Sequence, residues 1–336
     1  MLDYSPLIGI SGGTSLLLLL AALALDFVVS VSGFSLGPKS WNSPHRGVGS
    51  IFIWLEKKLN RENRSEANRV VRGAIVALIA LSFSIGVGLG LWWIAHHVPY
   101  GWGLEFLLLF LVVGQRRVLF PLRRVGRELH KSGPDVAREI FAGLWPGYDR
   151  EMDKYGCVRF AIEEGTLAFG RSVIGPVFWF VLLGLPGLVV YWSVCVMAGA
   201  LNSIGGRAEA FSMAAARLDG VFHFFPSRIA AILLLVAGFF VPHASLKKGL
   251  SVMLTDGSRH PAFAGGWILG VTAGILGLAL CGPSSRYAGV LQNNWIGDGR
   301  ARAGYDDIRR ALYLSIVGCL VHASIVAGLL LFRLVV

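Results

Sequence analysis

Apolar residues in this chain come in long uninterrupted runs, not in the short alternations of half-buried strands. The first runs from about Leu7 to Val31, passes through Leu16-Leu17-Leu18-Leu19-Leu20, and carries Asp26 near its end. Others cover Gly73 to Ala95, Val173 to Ala200 with Pro186-Gly187 at its middle, Ile229 to Val241, Gly265 to Cys281, and Ala311 to Val336. Leu104 to Val113 is half as long. Crossing a bilayer takes about 20 apolar residues in a helix, and a helix satisfies its own backbone where no water reaches. The pattern predicts an all-α, polytopic integral membrane protein with roughly five to seven apolar helices, a single membrane domain over residues 1–336. The first run has no basic leader before it, so it is expected to be retained as a span. The run from Val173 to Ala200 either crosses once or turns back at Pro186-Gly187 as a re-entrant hairpin, and the sequence leaves both open.

Composition agrees with that picture. Of 336 residues, 54% are hydrophobic and 15% charged, which excludes an ordinary water-soluble enzyme. The net charge of +11 matters through its placement. Lys57, Lys58, Arg61, Arg64, Arg69 and Arg72 precede the second run, and Arg116, Arg117, Arg123, Arg124, Arg127, Lys131 and Arg138 follow the short one. The positive-inside rule puts the basic loops at about 57–72 and 116–138 in the cytoplasm of a multi-pass protein of the cell inner membrane. Residues 115–172 read as a basic, amphipathic, cytoplasmic helical insertion, broken at Ser132-Gly133-Pro134 and at Trp145-Pro146-Gly147. The lipid bilayer is the expected partner. Nucleic acid is not, because the basic residues hug the membrane and form no known binding module. Cys157, Cys195, Cys281 and Cys319 show no disulfide or zinc spacing and read as small core residues.

General catalytic motifs are missing. Gly9 to Ser15 is glycine-rich but lacks the Gly-Lys-Ser/Thr of a phosphate loop, and no His-Glu-x-x-His occurs. Polar clusters at the ends of the apolar runs carry more information, because ionisable groups there are costly and mark sites. They are Ser43-Pro44-His45-Arg46, Gly147-Tyr148-Asp149, Ala216-Arg217-Leu218-Asp219, Phe225-Pro226-Ser227-Arg228, and Asp256 with His260. The densest runs from Cys281 through Gly282-Pro283, Arg286-Tyr287 and Trp295-Ile296-Gly297-Asp298 to Asp306-Asp307. Each has a structural reading as well: Asp298 suits a turn between two glycines, Asp306-Asp307 suits a helix start, and Arg217 suits a pair with Asp219.

Together these residues resemble a known family. Gly282-Pro283, Tyr287, Gly289, Trp295-Ile296-Gly297-Asp298 and Asp306-Asp307-Ile308 look like the C-terminal signature of the CobD/CbiB family of adenosylcobinamide-phosphate synthases. Leu25-Asp26, Pro44-His45, Gly49, Gly147, Asp149, Glu163, Pro176, Ala216-Arg217, Asp219, Pro226, Arg228, Asp256 and His260 follow the family's order along nearly the whole chain. The resemblance implies a membrane protein of cobalamin biosynthesis. It would join a corrinoid carboxylate, adenosylcobyric acid, to an aminopropanol or its phosphate by amide formation, with ATP and magnesium. On that basis Asp298, Asp219 and Glu163 are the catalytic candidates. Arg217, Arg228, His260, Tyr287, Trp295 and Asp256 are candidates for substrate binding, and Asp298 and Asp306 for metal.

Departures from the family pattern are concentrated in its centre. Where the family shows Glu-Thr-x-x-Glu-Asn-x-x-Asp from Glu163 onward, this chain has Leu167, Ala168 and Arg171. An Asn-Thr-x-Asp appears as Cys195, Val196 and Ala198, and the second aspartate of Arg-x-Asp-Asp is Gly220. Gly147-Tyr148-Asp149-Arg150-Glu151, Phe169-Gly170-Arg171 and Gly175-Pro176-Val177-Phe178-Trp179 are similar to AmpE, a non-catalytic relative described as a signalling modulator. The alternative expectation is therefore an AmpE-like regulator or complex subunit, with a membrane protein as its partner and its central carboxylates lost.

Overall fold

A computed structural model describes residues 12–32, 43–61, 65–131, 139, 153–205, 208–257, 265–282 and 295–335. Among them the chain is mostly helix, joined by turns and irregular segments, and its β-structure is two isolated bridges. The helices are α1 (Gly13–Ser32), α2 (Ser43–Leu59), α3 (Glu66–His97), α4 (Trp102–Val112), α5 (Gln115–Lys131) and α6 (Lys154–Ala168). A π-helical stretch, Phe169–Ile174, leads into α7 (Gly175–Asn202). Then come α8 (Glu209–Ala237), α9 (Leu246–Asp256), α10 (Gly265–Leu276) and α11 (Tyr305–Val335). Five helical stretches are long and apolar enough to cross a membrane: Gly13–Ser32, Glu66–His97, Tyr155–Asn202, Glu209–Phe240 and Tyr305–Val335. The expected all-α polytopic class is met.

Two apolar runs differ from their expected form. Gly265 to Cys281 is a helix only as far as Leu276, about 18 Å of rise, which is short of a hydrocarbon core of about 30 Å. Gly277, at φ 67, ends it in the left-handed conformation that glycine adopts without strain. Leu278 then bridges to Arg300, and Leu280 to Ile296.

The second difference settles the open alternative in the Val173–Ala200 run. Helical φ/ψ is interrupted at Gly184 (φ 63, ψ −150), and the chain on either side folds back on itself. The Tyr191 hydroxyl donates to the Arg171 carbonyl at 2.8 Å, although twenty residues of straight helix would separate the two by about 30 Å. Gly187 lies against the Trp179 carbonyl and the Leu183 side chain, where a Cβ has no room. Val177 and Phe180 of the first limb share one apolar cluster with Leu185 and Leu188 of the second. The segment is a helical hairpin with its turn at Gly184, two residues before the proline.

Three apolar clusters hold the helices together. The largest joins Val118, Leu119, Leu122 and Val125 of α5 to α6, the π stretch, α8, α10 and α11. A second joins α1, α4, the hairpin and α11, and a third joins α2, α3, the far limb of α7 and the start of α8. The basic helix α5 therefore packs one face into the bundle. Its first turn is tied to α1 by a buried charge: Asp26 accepts from the Gln115 amide at 2.6 Å and pairs with Arg116, both side chains being out of solvent. A carboxylate on the free N–H groups of a helix start satisfies donors that have no intrahelical partner.

Candidate functional site

The polar patch after Gly277 is a loop pinned from two directions. Leu280 and Ile296 exchange both backbone hydrogen bonds at 2.9 Å, and Ala279 N donates to Arg300 O at 3.1 Å. Glu163, buried on α6, accepts from Cys281 N at 2.7 Å. Asp256, at the end of α9, accepts from Gly297 N at 2.9 Å, where φ of 87 requires a glycine. Arg159 donates to the Ala301 carbonyl and lies over the Trp295 ring at 5.2 Å. Asp307 accepts from Gly304 N at 2.8 Å and from Arg300 at 2.5 Å, which closes the loop onto α11. Burial, with Glu163 beside it, pushes the Cys281 thiol up, so it serves as packing and not as a nucleophile.

The sequence candidates divide accordingly. Glu163, Asp256, Trp295 and Asp298 are brought to this one loop, Asp298 and Asp306 lying exposed. Arg228 is half-buried on α8, its guanidinium 3.6 Å from the centre of the Phe224 ring and 4.8 Å from that of Trp267. Trp267 in turn packs against Gly257, next to Asp256. Arg217 is exposed. His260 and Tyr287 fall outside the described residues.

Asp219 sits elsewhere, in a cluster that sequence reasoning did not assemble. The expected Arg217–Asp219 pair is replaced by Arg171, whose Nη2 lies 2.5 Å from Asp219 Oδ2. One turn along α8, His223 Nδ1 is 3.2 Å from Asp219 Oδ1 and 2.9 Å from the Asp219 carbonyl. On the ring's other side, His223 Nε2 meets the Tyr191 hydroxyl at 2.8 Å and Cys195 Sγ at 3.9 Å. Arg171 and Cys195 are two of the positions where the chain departs from the family pattern, and the hairpin brings them to the same carboxylate–imidazole pair. The clue in the sequence was an Asp and a His four apart on an apolar helix, which places them on one face.

Metal chemistry can be tested against these donors. Among the described residues, the group of three metal-capable side chains that converges is Cys195, Asp219 and His223, with ligand atoms within 4.8 Å of one another. Magnesium takes oxygen ligands in an octahedron. A thiol, an imidazole and a carboxylate already paired with arginine do not suit it.

Comparison with known proteins shows the family of the chain. The CobD/CbiB protein family profile covers residues 19–315. The chain belongs to the CobD/CbiB family. It is 29% identical over 330 residues to the cobalamin biosynthesis protein CobD of Sinorhizobium sp, covering 94% of this chain and 98% of that one. Its identity to the protein of the same name from Brucella anthropi is 28%, with the same coverage. The cobalamin biosynthesis protein CbiB of Salmonella typhimurium is 25% identical over 298 residues, 87% of this chain and 90% of its own. No solved structure matches the chain.

Proposed function

We propose that this CobD/CbiB-family membrane protein works in cobalamin biosynthesis, joining a corrinoid carboxylate, adenosylcobyric acid, to an aminopropanol or its phosphate by amide formation. One observation carries the reading. Glu163 and Asp256, from different helices, hold the backbone amides of Cys281 and Gly297, which supports reading the described parts of the C-terminal patch, around these two residues and Trp295 and Asp298, as a site and not as a connector. Holding reacting groups in place is worth several powers of ten in rate. Trp295, stacked under Arg159, offers an apolar face for a large ring, and Arg228 with Arg217, His260 and Tyr287 would serve anionic or polar substituents. ATP with magnesium belongs to this proposal. Magnesium often keeps several waters and is held through one or two carboxylates and the phosphates, and Asp298 and Asp306, exposed, suit that manner of binding.

The Arg171–Asp219 pair favours a second reading, a non-catalytic regulator or complex subunit of the AmpE kind, because a guanidinium occupies a carboxylate that the reaction would use. Complementation separates the two. A bacterium lacking its own CobD/CbiB synthase, supplied with cobyric acid, grows on this chain if the first reading is correct. Failure to grow, with the protein present in the membrane, supports the second.

A further inference from the structure

Two adjacent arginines open α5, and the described residues give them one carboxylate. Arg116 takes Asp26. Arg117 is left with Nε and Nη2 out of solvent contact and without a hydrogen-bond partner among the described residues. Burial lowers its pKa to about 10, so the group stays charged at neutral pH.

The ionisable side chains within reach of that charge, besides Arg116 and Asp26, are His45, Cys195 and Tyr191. His45 Nε2 accepts from Trp192 Nε1 at 2.9 Å. Burial, reinforced by Arg117 and Arg116, lowers the His45 pKa to about 3, so the ring is neutral and its hydrogen sits on Nδ1. Tyr191 gives its proton to the Arg171 carbonyl, and the charge of Arg171 is spent on Asp219. The donors left without an acceptor are therefore Arg117's own Nε and Nη2, with the His45 ring and the Cys195 side chain beside them. An unpaired buried charge is expensive by several kcal/mol. A planar guanidinium with free N–H groups matches the paired oxygens of a phosphate or carboxylate.

We infer that Arg117 binds an oxyanion, a phosphate ester, beside His45 and Cys195 at the junction of α2, α5 and the second limb of α7. The inference stands on Arg117 and its surroundings and holds whichever reading of the family activity is correct. The phosphate belongs either to a lipid headgroup or to a soluble ester, and the chemistry of the site is the same for both.

Cys195 provides a reporter, because it is partly exposed while Cys157, Cys281 and Cys319 are buried. In purified, delipidated full-length protein, millimolar inorganic phosphate is expected to raise the unfolding midpoint by several degrees. It should also slow maleimide labelling of Cys195 at least about fivefold. Arg117→Met, which keeps the volume and removes the charge, should fold and lose both effects. If that variant does not reach the membrane, Arg117→Lys keeps the charge without the fork and should need about tenfold more phosphate. An equal response to chloride at matched ionic strength, or an unchanged phosphate response in Arg117→Met, overturns the inference. Mass spectrometry before delipidation tells the sources apart. A phospholipid retained one per chain by the wild type and lost in Arg117→Met assigns the site to a headgroup. A phosphate response in protein that carried no such lipid assigns it to a soluble ester. Either result supports the site.

Discussion

Arg171 and Asp219 meet across the hairpin and α8 with Nη2 2.5 Å from Oδ2. The pair turns an apparent loss into an exchange: a basic residue stands where the family pattern has an acid, and the aspartate that remains has become its counter-ion. Asp219 is nearly out of solvent while the Arg171 side chain is half exposed at 47%, so the pair lies between the buried and surface limits. Arg171→Ala is expected to destabilise the protein by about 1–2 kcal/mol in detergent, less than for a fully buried pair. Thermal unfolding checks this. Arg171→Gln, which keeps a donor, should recover part of the loss.

Asp26 and Arg116 are buried on both sides, and the expectation there is larger. Asp26→Ala strands a guanidinium and uncaps α5, costing about 3–5 kcal/mol. Its signature is low abundance in the membrane. The double change Asp26→Leu with Arg116→Met should be milder than either single change, because it leaves no lone charge. Expression and unfolding midpoints of the three variants decide it.

Gly184 occupies φ 63, ψ −150, a region that residues with a Cβ avoid. Gly184→Ala should cost about 1–3 kcal/mol. Cysteines placed at Val177 and Leu188, which share one cluster, should be joined by a short bifunctional cross-linker. Positions so far apart on a straight helix would not be.

His45 gives the fold a pH dependence. Its folded pKa of about 3 lies below the ordinary 6.5, so between those values the unfolded chain binds more protons than the folded one. Stability is then full above pH 6.5 and falls as pH drops toward 3, by up to about 1.4 kcal/mol per unit. His45→Gln should flatten that part of the profile, as chemical denaturation between pH 4.5 and 7 would read.

Glu163→Ala should free the Cys281 amide and cost about 1–3 kcal/mol, together with growth in the complementation strain. Glu163→Gln keeps an acceptor and should hold the loop. If growth also survives in that variant, Glu163 positions the loop and is not a catalytic residue.

What the sequence made legible follows from what is local. Runs such as Gly73 to Ala95 and Ala311 to Val336 announce helices because length and apolarity decide a span. The Val173–Ala200 run did not reveal its hairpin, because Pro186 marks a break without saying how far the chain turns, and the turn is made at Gly184. Asp26 with Arg116, and Arg171 with Asp219, could not be paired from the sequence: they lie 90 and 48 residues apart, and only the packed helices bring them together. The loop after Gly277 was visible as a cluster, whereas the hold that Glu163 and Asp256 have on its backbone was not: the two were expected as catalytic and substrate-binding residues, and their partners Cys281 and Gly297 lie 118 and 41 residues away.

The bend at Gly184 has a consequence for parity. If this hairpin lies in the bilayer, it enters and leaves by the same face: its ends at Lys154 and Asn202 are then expected in one compartment, and every later segment on the opposite side from the one a single straight crossing would give. Reporter fusions after residues 153 and 205 would then light up together or stay dark together.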